Sequence, residues 1–196
     1  MVDTTARDSS SFPAAVDTSV SIPPRDTFAG PQLAIGGSST PAVVSADLDD
    51  LRGEGLIIPV AGVAAKDLID SFDDARSGTR HHNALDIMAK RNTPVLAAVS
   101  GTVVKLHNSA AGGLTIYESD PTSRFVMMYG HLDSYRPGLA DGAKVSRGEI
   151  IGFVGSTGNA NPLAPHLHFQ ITRNDNMKEW WKGTPINPFP IFRPKG

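Results

Sequence analysis

Apolar residues in the second half of the chain fall into short runs broken by Gly, Pro or polar turns. The runs cover residues 85–88, 95–99, 102–106, 114–117, 125–129, 149–154 and 167–172. Their length and their β-branched and aromatic content predict strands. The gaps between them are too short for the helices that parallel crossovers need. The pattern therefore predicts an all-β fold, mainly antiparallel, of β-sandwich or barrel-sandwich type.

Helical spacing occurs only before that region. Leu48 and Leu51 lie three apart in a short helix that opens at Ser45 and is placed to stop at Gly53. Leu68, Ile69 and Phe72 predict a second short helix or turn within residues 64–76. Residues 56–60 are apolar and β-prone. Residues 1–44 are rich in Ser, Thr, Pro and Gly and hold no sustained period. They read as a linker or loosely docked extension, with residues 45–196 as the folded domain. Residues 176–196 carry Trp180, Trp181, Phe189 and Phe192 among prolines, and read as an aromatic tail laid over the body.

Composition narrows the chemistry. Cysteine is absent, so thiolate metal sites and disulfides are excluded, and a metal would have to use His and carboxylates. Net charge is −2 and no basic cluster of nucleic-acid type occurs. No apolar run is long enough to span a membrane. Met1 is followed by Asp3, Thr4 and Arg7 rather than an apolar stretch. The chain is thus expected to be either intracellular or a mature fragment whose export signal has been replaced. Charge is uneven: −5 over residues 1–50 and +3 over the rest. A mildly cationic body tolerates an anionic polymer.

Four of the six histidines, with one aspartate, make up the candidate chemistry: His82 with Asp86, His131, and His166 with His168. Zinc in hydrolases takes three protein ligands and leaves a place for water. His166 and His168 are two apart in an apolar run, so on a strand both face one side while Leu167 and Phe169 face the core. His82 and Asp86 are four apart and would share a strand face, with Leu85 and Ile87 turned the other way. A carboxylate interrupting an apolar run is costly to bury without a cation. His131 ends an apolar run at Gly130, where a turn would present it at a cleft edge. His81 and His107 read as histidines without a role in the site.

These residues stand in motifs that resemble the M23 zinc metallopeptidases, the LytM or lysostaphin-type peptidoglycan endopeptidases. The stretches are Arg80-His81-His82-Asn83-Ala84-Leu85-Asp86-Ile87, Asn92-Thr93-Pro94-Val95-Leu96-Ala97-Ala98, Ser100-Gly101-Thr102-Val103-Val104, Tyr129-Gly130-His131-Leu132, Gly152-Phe153-Val154-Gly155-Ser156-Thr157-Gly158 and Pro165-His166-Leu167-His168-Phe169. The resemblance covers roughly residues 56–190, and its motifs are specific in order and spacing. It implies that His82, Asp86 and His168 hold one zinc ion. It implies that His131 and His166 are unliganded catalytic histidines, with base and acid not divided between them. Ala84 departs from the family's usual Gly and Gln170 from its frequent Glu; neither is a ligand position.

The same resemblance implies the substrate, peptide cross-links of bacterial peptidoglycan. The loop 159–164 and the tail around Trp180-Trp181-Lys182-Gly183 are closer to Gram-negative members. That favours a D-Ala–diaminopimelate bond and a periplasmic, envelope or secreted location, with residues 1–44 as a tether or as a cover over the groove. Oligomeric state is left open. A catalytically inactive relative that binds and activates other cell-wall hydrolases is the main alternative. Similarity of the glycine turns to biotinyl and lipoyl carrier domains is the other, but no Lys stands at the tip of an exposed hairpin between the halves.

Overall fold

The computed structural model describes residues 41–76 and 81–193, with residues 41–44 described in backbone only. Residues 1–40 of the extension expected over residues 1–44, and Arg80 of the first motif, lie outside the described residues.

Among the described residues nine strands form one hydrogen-bonded antiparallel network. They are β1 (Leu85–Met88), β2 (Pro94–Leu96), β3 (Gly101–Ser109), β4 (Gly113–Ser119), β5 (Phe125–Tyr135), β6 (Lys144–Val145), β7 (Ile150–Val154), β8 (His166–Arg173) and β9 (Thr184–Ile186). The main path runs β1-β8-β5-β4-β3-β6, β9 extends β8, and β7 joins β5 to β2. Every named pairing is antiparallel, and short connections join the consecutive pairs β3–β4 and β4–β5. Among the described residues no helix is long and apolar enough to cross a membrane.

Alternation decides which side of the sheet is the core. One face aligns Leu85, Phe169, Tyr129 and Ile116 across four strands, and the next row on it aligns Ile171 with Met127. All six are fully buried. Each such side chain stabilises the fold by roughly 1.5–3 kcal/mol relative to exposure. The opposite face carries Asp86, His168 and Gly130 in one row, and Gln170, Met128 and Tyr117 in the next.

Strand β5 is longer than its apolar run because it changes partner midway. It pairs β8 as far as Gly130↔His168 and then pairs β7 from Leu132↔Val154. The ladder to β4 shifts register over the same stretch, between Ile116↔Tyr129 and Leu114↔Leu132. The extra residue is His131, at φ 60. This bulge lets Tyr129 and Leu132 both face the core, although three positions separate them.

One helical reading needs correction, the start of the first helix. Helix α1 (Pro41–Gly53) starts four residues before Ser45. It stops at Gly53 as expected, and Gly55 (φ 70) supplies the left-handed cap: the Leu56 N–H reaches the Leu51 carbonyl and the Gly55 N–H that of Arg52. The short helix or turn expected within residues 64–76 is a 3-10 turn, Ala65–Asp67. In the tail, β9 pairs with β8, and a short α2 (Phe189–Phe192) packs Phe189 and Phe192 against the core. Leu51 is fully buried, and Asp47 docks α1 through Arg173 at 3.1 Å and Arg124 at 3.4 Å.

Candidate metal and catalytic centre

Three donor atoms converge on the open face. His82 Nε2 lies 3.0 Å from Asp86 Oδ1 and 3.0 Å from His168 Nδ1, and the last two are 3.2 Å apart. Ligands at about 2.0–2.2 Å around a tetrahedral zinc would stand roughly 3.3–3.6 Å apart. The triangle is tighter by only a few tenths of an ångström, and its donors are those zinc prefers when thiolates are lacking. These residues could hold a metal ion; among the described residues no other group of three does so.

The strands place two of the three donors. Asp86 of β1 pairs directly with His168 of β8, so both rise from one row of the sheet. His82 arrives differently from the expectation that it shares a strand with Asp86. Strand β1 begins only at Leu85, and Asn83 at φ 57 turns the chain between them. His82 meets Asp86 because the segment 71–76 runs back along it. The His82 N–H donates to the Asp74 carbonyl at 2.9 Å, and the Asn83 N–H to that of Phe72 at 2.8 Å.

That segment also braces the donors from behind. The Ser71 carbonyl accepts from His82 Nδ1 at 2.9 Å, which puts the proton on Nδ1 and leaves Nε2 with a lone pair. The Ser71 hydroxyl accepts the Asp86 N–H at 3.0 Å. Arg76 Nη2 donates to the other oxygen of the Asp86 carboxylate, Oδ2, at 3.2 Å. Ser71 and Arg76 carry no motif signal, and the sequence reading passed over both. Only folding of residues 71–76 beside β1 gives them a part.

His131 and His166 stand beside the triangle, with ring centroids 5.1 Å apart; His131 is 5.6 Å from the His168 ring. Their Nδ1 atoms bond backbone carbonyls: His131 to Thr157 at 2.8 Å and His166 to Ala164 at 2.9 Å. A carbonyl only accepts, so each Nδ1 carries a proton, and in the neutral ring each Nε2 has a lone pair. His166 Nε2 lies 3.8 Å from Asp86 Oδ1, facing the donors but outside their triangle. His131 does not sit at a turn that ends its strand, as Gly130 suggested; it occupies the bulge within β5, where its N–H reaches the Gly112 carbonyl at 2.8 Å. His81 and His107 are apart from this group. His81 is exposed and bonds the Asp73 carbonyl, and His107 lies on β3.

Electrostatics agree with the geometry. Burial works against ionisation of Asp86, but the closeness of His168 and His82 outweighs it and holds the carboxyl far below the usual carboxylate range. Burial pushes His168 down, against the pull of Asp86. Burial, and then His168, push His131 down to about 4. The centre therefore presents an ionised carboxylate beside His168 and His131, both pushed towards the neutral form that a cation needs.

Comparison with known proteins follows the same residues. The model for peptidase family M23 matches residues 80–188. The L-Ala–D-Glu endopeptidase of Bacillus subtilis is 30% identical over 130 residues, which is 63% of this chain and 38% of that protein. The DD-carboxypeptidase/endopeptidase Mpg of Neisseria meningitidis is 31% identical over 115 residues, covering 59% of this chain and 24% of that one. The catalytic domain of lysostaphin from Staphylococcus simulans superposes with a TM-score of 0.51 at 26% identity, over 74% of this chain and 97% of that domain. The chain spans under half the length of the two curated relatives.

Proposed function

Because the chain belongs to peptidase family M23, we propose that it is a zinc-dependent endopeptidase hydrolysing peptide cross-links of bacterial peptidoglycan, at bonds of the D-Ala–diaminopimelate type. The observation that carries this reading is the donor triangle of His82, Asp86 and His168 with two further imidazoles beside it. A structural metal site would be closed on all sides by ligands, whereas this one keeps a side for water and substrate.

When bound, zinc would lower the pKa of its water to about 7 and polarise the scissile carbonyl. The rest falls to the side chains. With their Nδ1 protons committed to Thr157 and Ala164, His131 and His166 can act as bases only through Nε2. One Nε2 takes the proton from the attacking water, and the pair returns a proton to the leaving amine. Once protonated, either imidazole donates to the developing oxyanion. Ser71 keeps the His82 ring aligned so that its Nε2 stays directed at the triangle.

The substrate is a wall polymer, so the working location is the periplasm, the envelope or the exterior. Digestion of purified peptidoglycan with and without chelator tests the reading, with products identified by mass. Release of monomeric stems that stops with chelator and returns with zinc is expected. Zinc-loaded protein that releases nothing, yet stimulates a second wall hydrolase, would replace this reading with that of an inactive activator.

A further inference from the structure

Arg76 is only half used by the contact that holds it. Its Nη2 meets Asp86 Oδ2 at 3.2 Å while the side chain remains 45% exposed. This is its only ion pair among the described residues; it makes none with the neighbouring Asp73 or Asp74. A guanidinium has five N–H donors in a planar fork suited to a carboxylate, and among the described residues one of them is engaged. The opposite oxygen of the same Asp86 carboxylate, Oδ1, belongs to the donor triangle. The free part of the fork therefore lies one carboxylate's width from the reacting centre, on the side bounded by residues 71–76.

We propose that Arg76 is a specificity-determining residue that binds the free carboxylate on the leaving residue of the scissile amide. The inference rests on the hydrolase reading above and names the substrate feature it selects. Hydrolysis adds water across the amide: the carbonyl carbon gains the hydroxyl, and the leaving nitrogen gains a proton. In a D-Ala–diaminopimelate cross-link that nitrogen sits on a carbon bearing a free carboxylate, one bond from the scissile atom. Inside an oligoglycine bridge the corresponding carboxyl is itself an amide and offers no charge. Arg76 thus distinguishes the two classes through a charge-assisted, fork-shaped contact. The same feature marks a terminal D-Ala–D-Ala bond, so removal of a terminal residue follows from one recognition device.

The test uses the full chain loaded with zinc and two cross-linked muropeptide dimers. They differ only in whether the carboxylate on the leaving diaminopimelate is free or converted to carboxamide. The free acid should be cut roughly 10- to 100-fold faster in kcat/KM, the size of one charged hydrogen-bonding contact. In Arg76→Gln that ratio should fall towards one, and Arg76→Lys should restore part of it. Zinc content, measured on each variant, separates this effect from loosening of Asp86. Equal cleavage of both dimers by the unaltered protein overturns the Arg76 inference and leaves the hydrolase reading standing. Cleavage of neither dimer overturns the assigned bond and the inference with it. Failure to release any product from whole peptidoglycan removes the hydrolase reading itself.

Discussion

Ser71 holds His82 and Asp86 at once: its carbonyl accepts from His82 Nδ1 at 2.9 Å, and its hydroxyl accepts the Asp86 N–H at 3.0 Å. The two bonds respond differently to mutation. Ser71→Ala keeps the carbonyl and loses the hydroxyl, so His82 stays aligned while the Asp86 N–H loses its acceptor. We expect zinc affinity to fall by roughly 10-fold, at the low end for an outer partner of a metal ligand, and stability by about 1–3 kcal/mol. Competition with a chromophoric chelator and a denaturant titration measure these. Unchanged values in both would show that the hydroxyl does not brace the site.

The five site residues should divide into two classes on substitution. His82→Ala, Asp86→Ala and His168→Ala are expected to abolish stoichiometric zinc. His131→Ala and His166→Ala are expected to retain one zinc per chain and lose about 10²–10⁴-fold in turnover. Metal analysis alongside peptidoglycan turnover decides it. A zinc-free His166→Ala protein would move that residue into the ligand set.

Gly113 connects the fold to His131. Its φ is +62, and an added Cβ would stand 2.4 Å from the Thr157 carbonyl carbon and 2.6 Å from the Gly158 nitrogen. Thr157 is the residue whose carbonyl receives His131 Nδ1, and its hydroxyl bridges the Leu114 N–H and the Leu132 carbonyl. Gly113→Ala should therefore cost about 2–4 kcal/mol in stability. It should also lower turnover with zinc content unchanged. Retention of full turnover would show that the position of Thr157 does not govern His131.

A second buried acid predicts how stability varies with pH. Glu118 is fully buried in the core, where burial raises its carboxyl to about 8 against the hydrogen bond from the Tyr129 hydroxyl, with Asp120 and Glu149 adding to the rise. The unfolded chain ionises this group near 4.5, whereas the folded one keeps it protonated until about 8. The folded state thus binds the extra proton between those values. This contribution to stability is fully present below the lower value and is lost as pH rises through the upper one. The loss is a few kcal/mol in order of magnitude. Glu118→Gln, which cannot ionise, should flatten that part of the profile. Denaturation midpoints at pH 5 and pH 8 test it, and a parallel slope in both proteins would count against the buried acid.

Much of the fold was legible because period-two alternation is a local property. Leu167 and Phe169 are fully buried behind His166 and His168, and Leu85 and Ile87 behind Asp86, as the alternation requires. Strand β6, with two residues, and β9, with Pro185 at its centre, are too short or irregular to announce themselves. The run expected over 95–99 ends as a strand at Leu96, because Ala97 and Ala98 give their backbone bonds to Glu149, Gly148, Ile57 and Tyr129 instead.

By itself the sequence determined the β class, the faces of the regular strands and the residue types able to hold a metal without cysteine. Those follow from neighbours two positions apart and from composition. Only the tertiary structure decided how His82 reaches Asp86, which imidazole nitrogens are free, and that Ser71 and Arg76 belong to the site. Each of those depends on a contact between segments distant in the chain: β5 changing partner at His131, the 155–158 loop bringing Thr157 to it, and residues 71–76 folding beside 81–86. A hydrogen bond to a backbone carbonyl leaves no mark on residue identity, so the orientation of these histidines could not be read before the chain was folded.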